Sequence, residues 1–100
     1  MADYQVNITW ENGSIQPDPQ PVLAQAGDTI QFVLVQPPDG ELTIQFDEPA
    51  LFSAPVFKLG DDPVRVGPLM HETFYKCNVM IAGQSVAQGQ PGGSVKPPKG

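Results

Sequence analysis

Cysteine, histidine and tryptophan occur once each in this 100-residue chain, as Cys77, His71 and Trp10. One cysteine excludes an internal disulfide and any four-cysteine zinc site. Basic residues are also scarce, 5 against 11 acidic ones, which gives a formal net charge of -6. That balance repels phosphate backbones, so nucleic acid is not an expected partner. No run approaches the roughly 20 apolar residues that span a bilayer, and the opening Met1-Ala2-Asp3-Tyr4-Gln5 is neither basic nor apolar. Membrane insertion is therefore not expected. There is no glycine-rich phosphate loop, and a Cys-His dyad would have to join Cys77 to His71 from a strand and the loop before it. The chain reads as non-enzymatic.

Proline and glycine, by contrast, number 12 and 10 beside 40% hydrophobic residues. More than a fifth of the chain interrupts regular structure, so long helices are excluded and a thin β core is expected. Residues 4–11 alternate strictly, with Tyr4, Val6, Ile8 and Trp10 on one face. Asn12-Gly13 is a tight turn. Pro17, Pro19 and Pro21 remove alternate amide donors, which confines residues 16–21 to a sheet edge or an extended loop. After the turn Ala26-Gly27-Asp28, residues 29–35 read as a central strand with Ile30, Phe32 and Leu34 inward. Pro37-Pro38-Asp39-Gly40 predicts a hairpin into residues 41–46, where Leu42, Ile44 and Phe46 face the core.

Residues 47–55 read as a loop anchored by Phe52. Short strands are expected at 56–59 and 64–66, on either side of Gly60-Asp61-Asp62-Pro63. A longer one at 72–81 places Thr73, Tyr75, Cys77, Val79 and Ile81 on one face and Phe74, Lys76, Asn78 and Met80 on the other. Ala82-Gly83-Gln84 turns it into a last strand at 85–87. From residue 90 the composition shifts to Pro, Gly and Lys with one apolar side chain, which predicts a flexible tail over 90–100 and a domain over 1–89. Seven or eight single-faced strands need a second sheet to cover them, so the expected fold is an all-β sandwich.

Two segments carry a family resemblance. Ile15-Gln16-Pro17-Asp18-Pro19, leading through Val22 to Ala26-Gly27-Asp28-Thr29-Ile30-Gln31-Phe32, resembles the second and third strands of cupredoxins of the plastocyanin and azurin type. Thr73-Phe74-Tyr75-Lys76-Cys77 is similar to the cupredoxin strand that ends in the copper-binding cysteine. The resemblance covers residues 4–87 and implies a cupredoxin-like Greek-key β-sandwich. It also implies export to the periplasm or beyond the cell, whereas a native start at Met1 implies the cytoplasm. The family's blue-copper centre takes two histidines, a cysteine and usually a methionine. Residues 37–57 contain no histidine, and Cys77 is followed by Asn78, Val79, Met80, Ile81, Ala82 and Gly83. Both histidine positions are empty.

The expected function is thus a non-catalytic binding or structural module with no cofactor and a protein partner. One alternative is a copper-binding electron-transfer or copper-carrier protein with an atypical site built from Cys77, Met80 and His71. A second is an immunoglobulin-like interaction domain of a larger chain, favoured by the linker-like tail. Cys77 reads as a small buried hydrophobe, since alternation aligns it with Tyr75 and Val79 and sends Lys76 and Met80 to the other face. Met70-His71 is a soft pair on a loop. Tyr75, two residues before Cys77, resembles a tyrosine corner whose hydroxyl bonds upstream backbone. Trp10 reads as core, and Asp47-Glu48 and Asp61-Asp62 as solvated turns without the ligand pattern of a calcium loop.

Overall fold

Alternation becomes strand pairing in the computed structural model, which describes residues 1–98. In chain order the strands are β1 (Asp3–Glu11), β2 (Ser14–Asp18), β3 (Val22–Leu23), β4 (Thr29–Gln36), β5 (Glu41–Phe46), β6 (Val56–Lys58), β7 (Val64–Arg65), β8 (Thr73–Ile81) and β9 (Gln84–Lys96). One sheet has the order β2-β1-β4-β7 and the other β3-β9-β8-β5-β6. β1 runs parallel to β4, and β3 runs parallel to β9. The nine described strands exceed the expected seven or eight because the two-residue β3 was not expected as a strand, whereas β7 falls within the short strand expected at 64–66.

Local chemistry explains most of the path. Asn12 and Gly13 take φ of 53° and 78°, the double left-handed turn whose twist matches a two-residue hairpin, and this joins β1 to β2. β2 carries Pro17 and pairs only with β1, so the missing amide falls on a sheet edge. The prolines that follow carry the chain across to the second sheet, where β3 forms the opposite kind of edge beside β9. At Gly27, φ of 95° admits the turn that buries Asp28. The Asp28 carboxylate accepts the Gln25 amide at 3.0 Å and the Ala2 amide at 2.9 Å, bonds that hold its pKa below the ordinary aspartate value. The Val66 amide donates to the Asp28 carbonyl at 2.8 Å, so this one turn fastens the start of the chain to the segment after β7.

The inward faces agree with the period-2 pattern. Val6, Ile8, Ile30 and Phe32 from one sheet meet Leu42, Ile44, Tyr75, Cys77 and Val79 from the other in a single buried cluster. Phe32 lies at its centre, with ring centroids 5.1 Å from Tyr75, 5.4 Å from Phe57 and 6.1 Å from Phe46. Phe46 stacks on Phe52 at 4.1 Å. Phe52 also bridges to Val66, so it does anchor the 47–55 loop, which contains one 3-10 turn at Pro49–Leu51.

Two expectations need correction. Pro37-Pro38-Asp39-Gly40 does not close a hairpin: β4 and β5 belong to different sheets. Two successive prolines at the exit of β4 lack the amides that a continuing ladder would need, and Leu34 and Leu42 instead bury from opposite sheets into the same core. The strands at either end of the Gly60 turn likewise divide, β6 to one sheet and β7 to the other.

The largest correction concerns the tail. The segment 90–96 is not a linker but the second half of β9, which lies between β3 and β8, with Ser94 and Val95 fully buried. The sandwich therefore runs past residue 89 to Lys96, while Lys99 and Gly100 of the expected tail lie outside the described residues. Its glycines serve packing. A Cβ on Gly92 would sit 2.7 Å from a Tyr75 ring carbon and 2.8 Å from the Cys77 sulfur, and one on Gly93 would sit 2.7 Å from the Tyr75 hydroxyl. Phe74 pairs with Ser94 and Lys76 with Pro91, so β9 carries one extra residue here, a bulge that lets the backbone settle onto the tyrosine.

Candidate functional site

The three residues of the copper alternative occupy three separate environments. Cys77 points inward from the middle of β8, wholly buried, opposite Ile44 of β5 and directly under Gly92. Burial pushes its thiol up to about 12, so the reactive thiolate form is suppressed. Met80 is on the outward face of the same strand, 36% exposed, in register with Glu41. A shared metal would require β8 to bend near Asn78. It does not bend: the pairing with β5 runs unbroken from Met80 to Tyr75, and the irregularities against β9 are absorbed by extra residues in β9.

His71 precedes β8, exposed, with Nε2 at 2.9 and 3.0 Å from the two carboxylate oxygens of Glu48. That hydrogen bond holds the Glu48 carboxyl below its ordinary range. Among the described residues no three side chains of the His, Cys, Asp and Glu types converge. Asp61 is a turn residue, its carboxylate accepting the Lys58 amide at 2.9 Å. Trp10 is half-buried against the core, with its indole Nε1 covered and unpartnered.

Tyr75 departs from the tyrosine-corner expectation. Its hydroxyl is buried and has no hydrogen-bond partner among the described residues. Burial first, and the neighbouring Cys77 second, push the phenol's pKa upward, so it remains a neutral donor. A buried hydroxyl without a partner costs on the order of 1–3 kcal/mol. Tyr75→Phe is accordingly expected to leave the urea midpoint unchanged or raise it, by about 1 kcal/mol in stability. A loss of comparable size would show that the hydroxyl is bonded.

A separate cleft of about 360 Å³ lies on the second sheet where β8 and the end of β9 meet Gln20 and Asp47. Its lining includes Gln20, Asp47, Phe74, Lys76 and Pro91, while the Tyr75 hydroxyl, on the core face of β8, is sealed from solvent. Phe74 is 51% exposed, as its outward register on β8 requires. Lys76 Nζ is 3.9 Å from the Asp47 carboxylate, a long, solvated pair that contributes little to stability and leaves both groups available. Gln20 is held in place because its Oε1 accepts the Ser94 amide at 2.9 Å, while the Ser94 hydroxyl bonds the Glu72 carboxylate. That leaves the Gln20 Nε2 donors as what this side chain offers a ligand.

Sequence reading places Phe74 and Lys76 on the outward face but attaches no site to them. The signal that was present is an aromatic residue at an outward position of a strand whose inward face is already apolar. The contributions of Gln20 and of Gly92-Gly93 carried no local signal, since they arrive from 54 or more residues away and from within the misread tail. Comparison with known protein families, with curated proteins and with solved structures finds no match.

Proposed function

We propose that this chain is a non-catalytic, cupredoxin-like binding or structural module in which the cysteine of β8 is a core residue instead of a metal ligand. The observation that carries the reading is the position of Cys77, sealed between Ile44 and Gly92 while Met80 faces solvent and His71 is engaged by Glu48. A soft metal held by cysteine and methionine needs both sulfurs on one side of the strand. The cupredoxin-like part is supported by a proline-bearing segment shared between two sheets, followed by a Gly-Asp turn and a central apolar strand. The immunoglobulin-like alternative has lost its two supports, the bonded tyrosine hydroxyl and the linker-like tail.

The test combines copper with thiol chemistry on the whole chain. Adding Cu(II) is expected to give no intense visible thiolate-to-copper band, and a thiol reagent at pH 8 is expected to label Cys77 only as fast as the domain unfolds. An intense band that disappears in Cys77→Ser, or native-state labelling as rapid as that of a free thiol, would overturn the reading.

A further inference from the structure

We propose that Asp28 is the counter-ion for a free α-ammonium group at Ala2, which makes the peptide bond between Met1 and Ala2 a processing site.

An aspartate as buried as this one is rare without a cationic partner. Asp28 is 2% exposed, yet among the described residues no lysine, arginine or histidine forms an ion pair with it. Its carboxylate meets two backbone nitrogens instead, those of Gln25 at 3.0 Å and Ala2 at 2.9 Å. Only the second of these can become a cation. Ala2 is also fixed from its other side, because its carbonyl accepts the Thr29 amide at 3.0 Å and the next residue, Asp3, pairs with Thr29 in β4. Met1 lies outside β1 and is fully exposed.

Hydrolysis adds one water across the Met1–Ala2 bond. The Met1 carbonyl carbon takes the hydroxyl, and the Ala2 nitrogen takes the hydrogen and one solvent proton to become an ammonium. A neutral amide donor is thereby replaced, at the same atom, by a charge-assisted one, which is the stronger kind of bond. The cut precedes closure of the sheet, since the folded chain holds Ala2 between Asp28 and Thr29. Synthesis allows that order, because Asp28 follows Ala2 by 26 residues.

The Asp28 pKa is held down by the Gln25 amide first and the Ala2 amide second, with the Met1 ammonium adding the smallest share. The other charged side chains at this corner are exposed: Asp3, which accepts the Thr29 hydroxyl at 2.5 Å, and Arg65, in register with Thr29. An ammonium at Ala2 facing Asp28 has its pKa raised above the ordinary α-amino value of about 7.7–8.0. Its contribution to stability is therefore complete below that ordinary value and lost as pH rises through the raised one. In acid it falls away as Asp28 is protonated.

The experiment compares three forms of the chain by urea unfolding from about pH 4 to about pH 11: Met1 retained, Met1 removed by a methionine aminopeptidase, and Met1 removed with the Ala2 amine acetylated. Removal is expected to raise the folding equilibrium constant about tenfold at neutral pH, the equivalent of one pKa unit, and to give no gain at the alkaline end. Acetylation, which restores an uncharged N–H at the same atom, is expected to abolish the gain, and Asp28→Asn to erase the difference between the first two forms. Mass spectrometry of the protein recovered from the cells that make it is expected to find Ala2 first. The proposal is overturned if the recovered protein retains Met1, if the first two forms share one urea midpoint at neutral pH, or if the acetylated form keeps the gain. The acetylation comparison involves no substitution, so it decides the matter even where Asp28→Asn does not fold.

Discussion

A chain cut after Gln90 is expected to lose cooperative unfolding and the dispersed amide spectrum of a folded domain. The removed segment holds the pairings of β9 with β3, at Val22 with Val95 and Leu23 with Lys96, and those of Phe74 with Ser94 and Lys76 with Pro91. It also takes away the buried Val95 and the backbone that covers Tyr75 and Cys77. Nothing else in the described chain is placed to cover those two residues from that side, and the β9-facing edge of β8 is left unpaired from Thr73 to Lys76. Domains of this size are held by about 5–15 kcal/mol in total, and loss of half a central strand removes most of it. A truncated chain with a native-like spectrum and a cooperative urea transition would show instead that β9 beyond Gln90 is an accessory.

Phe32→Ala is expected to cost about 3–5 kcal/mol, read as a fall in the urea midpoint at constant slope. Phe32 has a central position that no other aromatic shares, touching Tyr75, Phe57 and Phe46 from the opposite sheet. Its loss opens a cavity on the sandwich axis that rigid strands on both sides cannot collapse to fill. Phe74 is the internal comparison: it has the same ring but is 51% exposed, so Phe74→Ala should change stability by no more than about 0.5 kcal/mol. Similar losses at the two positions would mean that the inward and outward faces of these strands are not separated as described.

Period-2 alternation made the inward faces of β1, β4, β5 and β8 legible, because each of these strands is apolar on one side and the other side meets water. Asn12-Gly13 and Ala82-Gly83 were legible as turns for a backbone reason, and both pairs adopt positive φ. Sheet membership was not. Whether Pro37-Pro38 returns the chain to the same sheet or hands it to the other depends on what β5 finds to pair with, and its partner β8 lies beyond residue 72. The second half of β9 was misread because glycine and proline are scored as solvent-seeking, whereas here the volume at Gly92 and Gly93 is occupied by the side chain of Tyr75. Of the candidate residues, the inward burial of Cys77 followed from its phase with Val79. The capture of His71 by Glu48, 23 residues away, could not have been read from spacing.

The placement of β9 between β3 and β8 also governs how the molecule is made. Ser94 reaches Gln20 across 74 positions of sequence, and Val22 must wait for Val95. On the ribosome, the edge strand β3 is made long before β9, its one partner in the sheet, and β3 and β8 are synthesised with no strand between them. Closure is therefore a late, long-range event, the kind that slows folding and prolongs exposure of unpaired strand edges to neighbouring nascent chains. The first sheet escapes this, since β1, β2 and β4 are complete by Gln36 and pair among themselves, giving a vectorial order of assembly in which the β2-β1-β4 layer forms first and acts as the surface on which the other is laid.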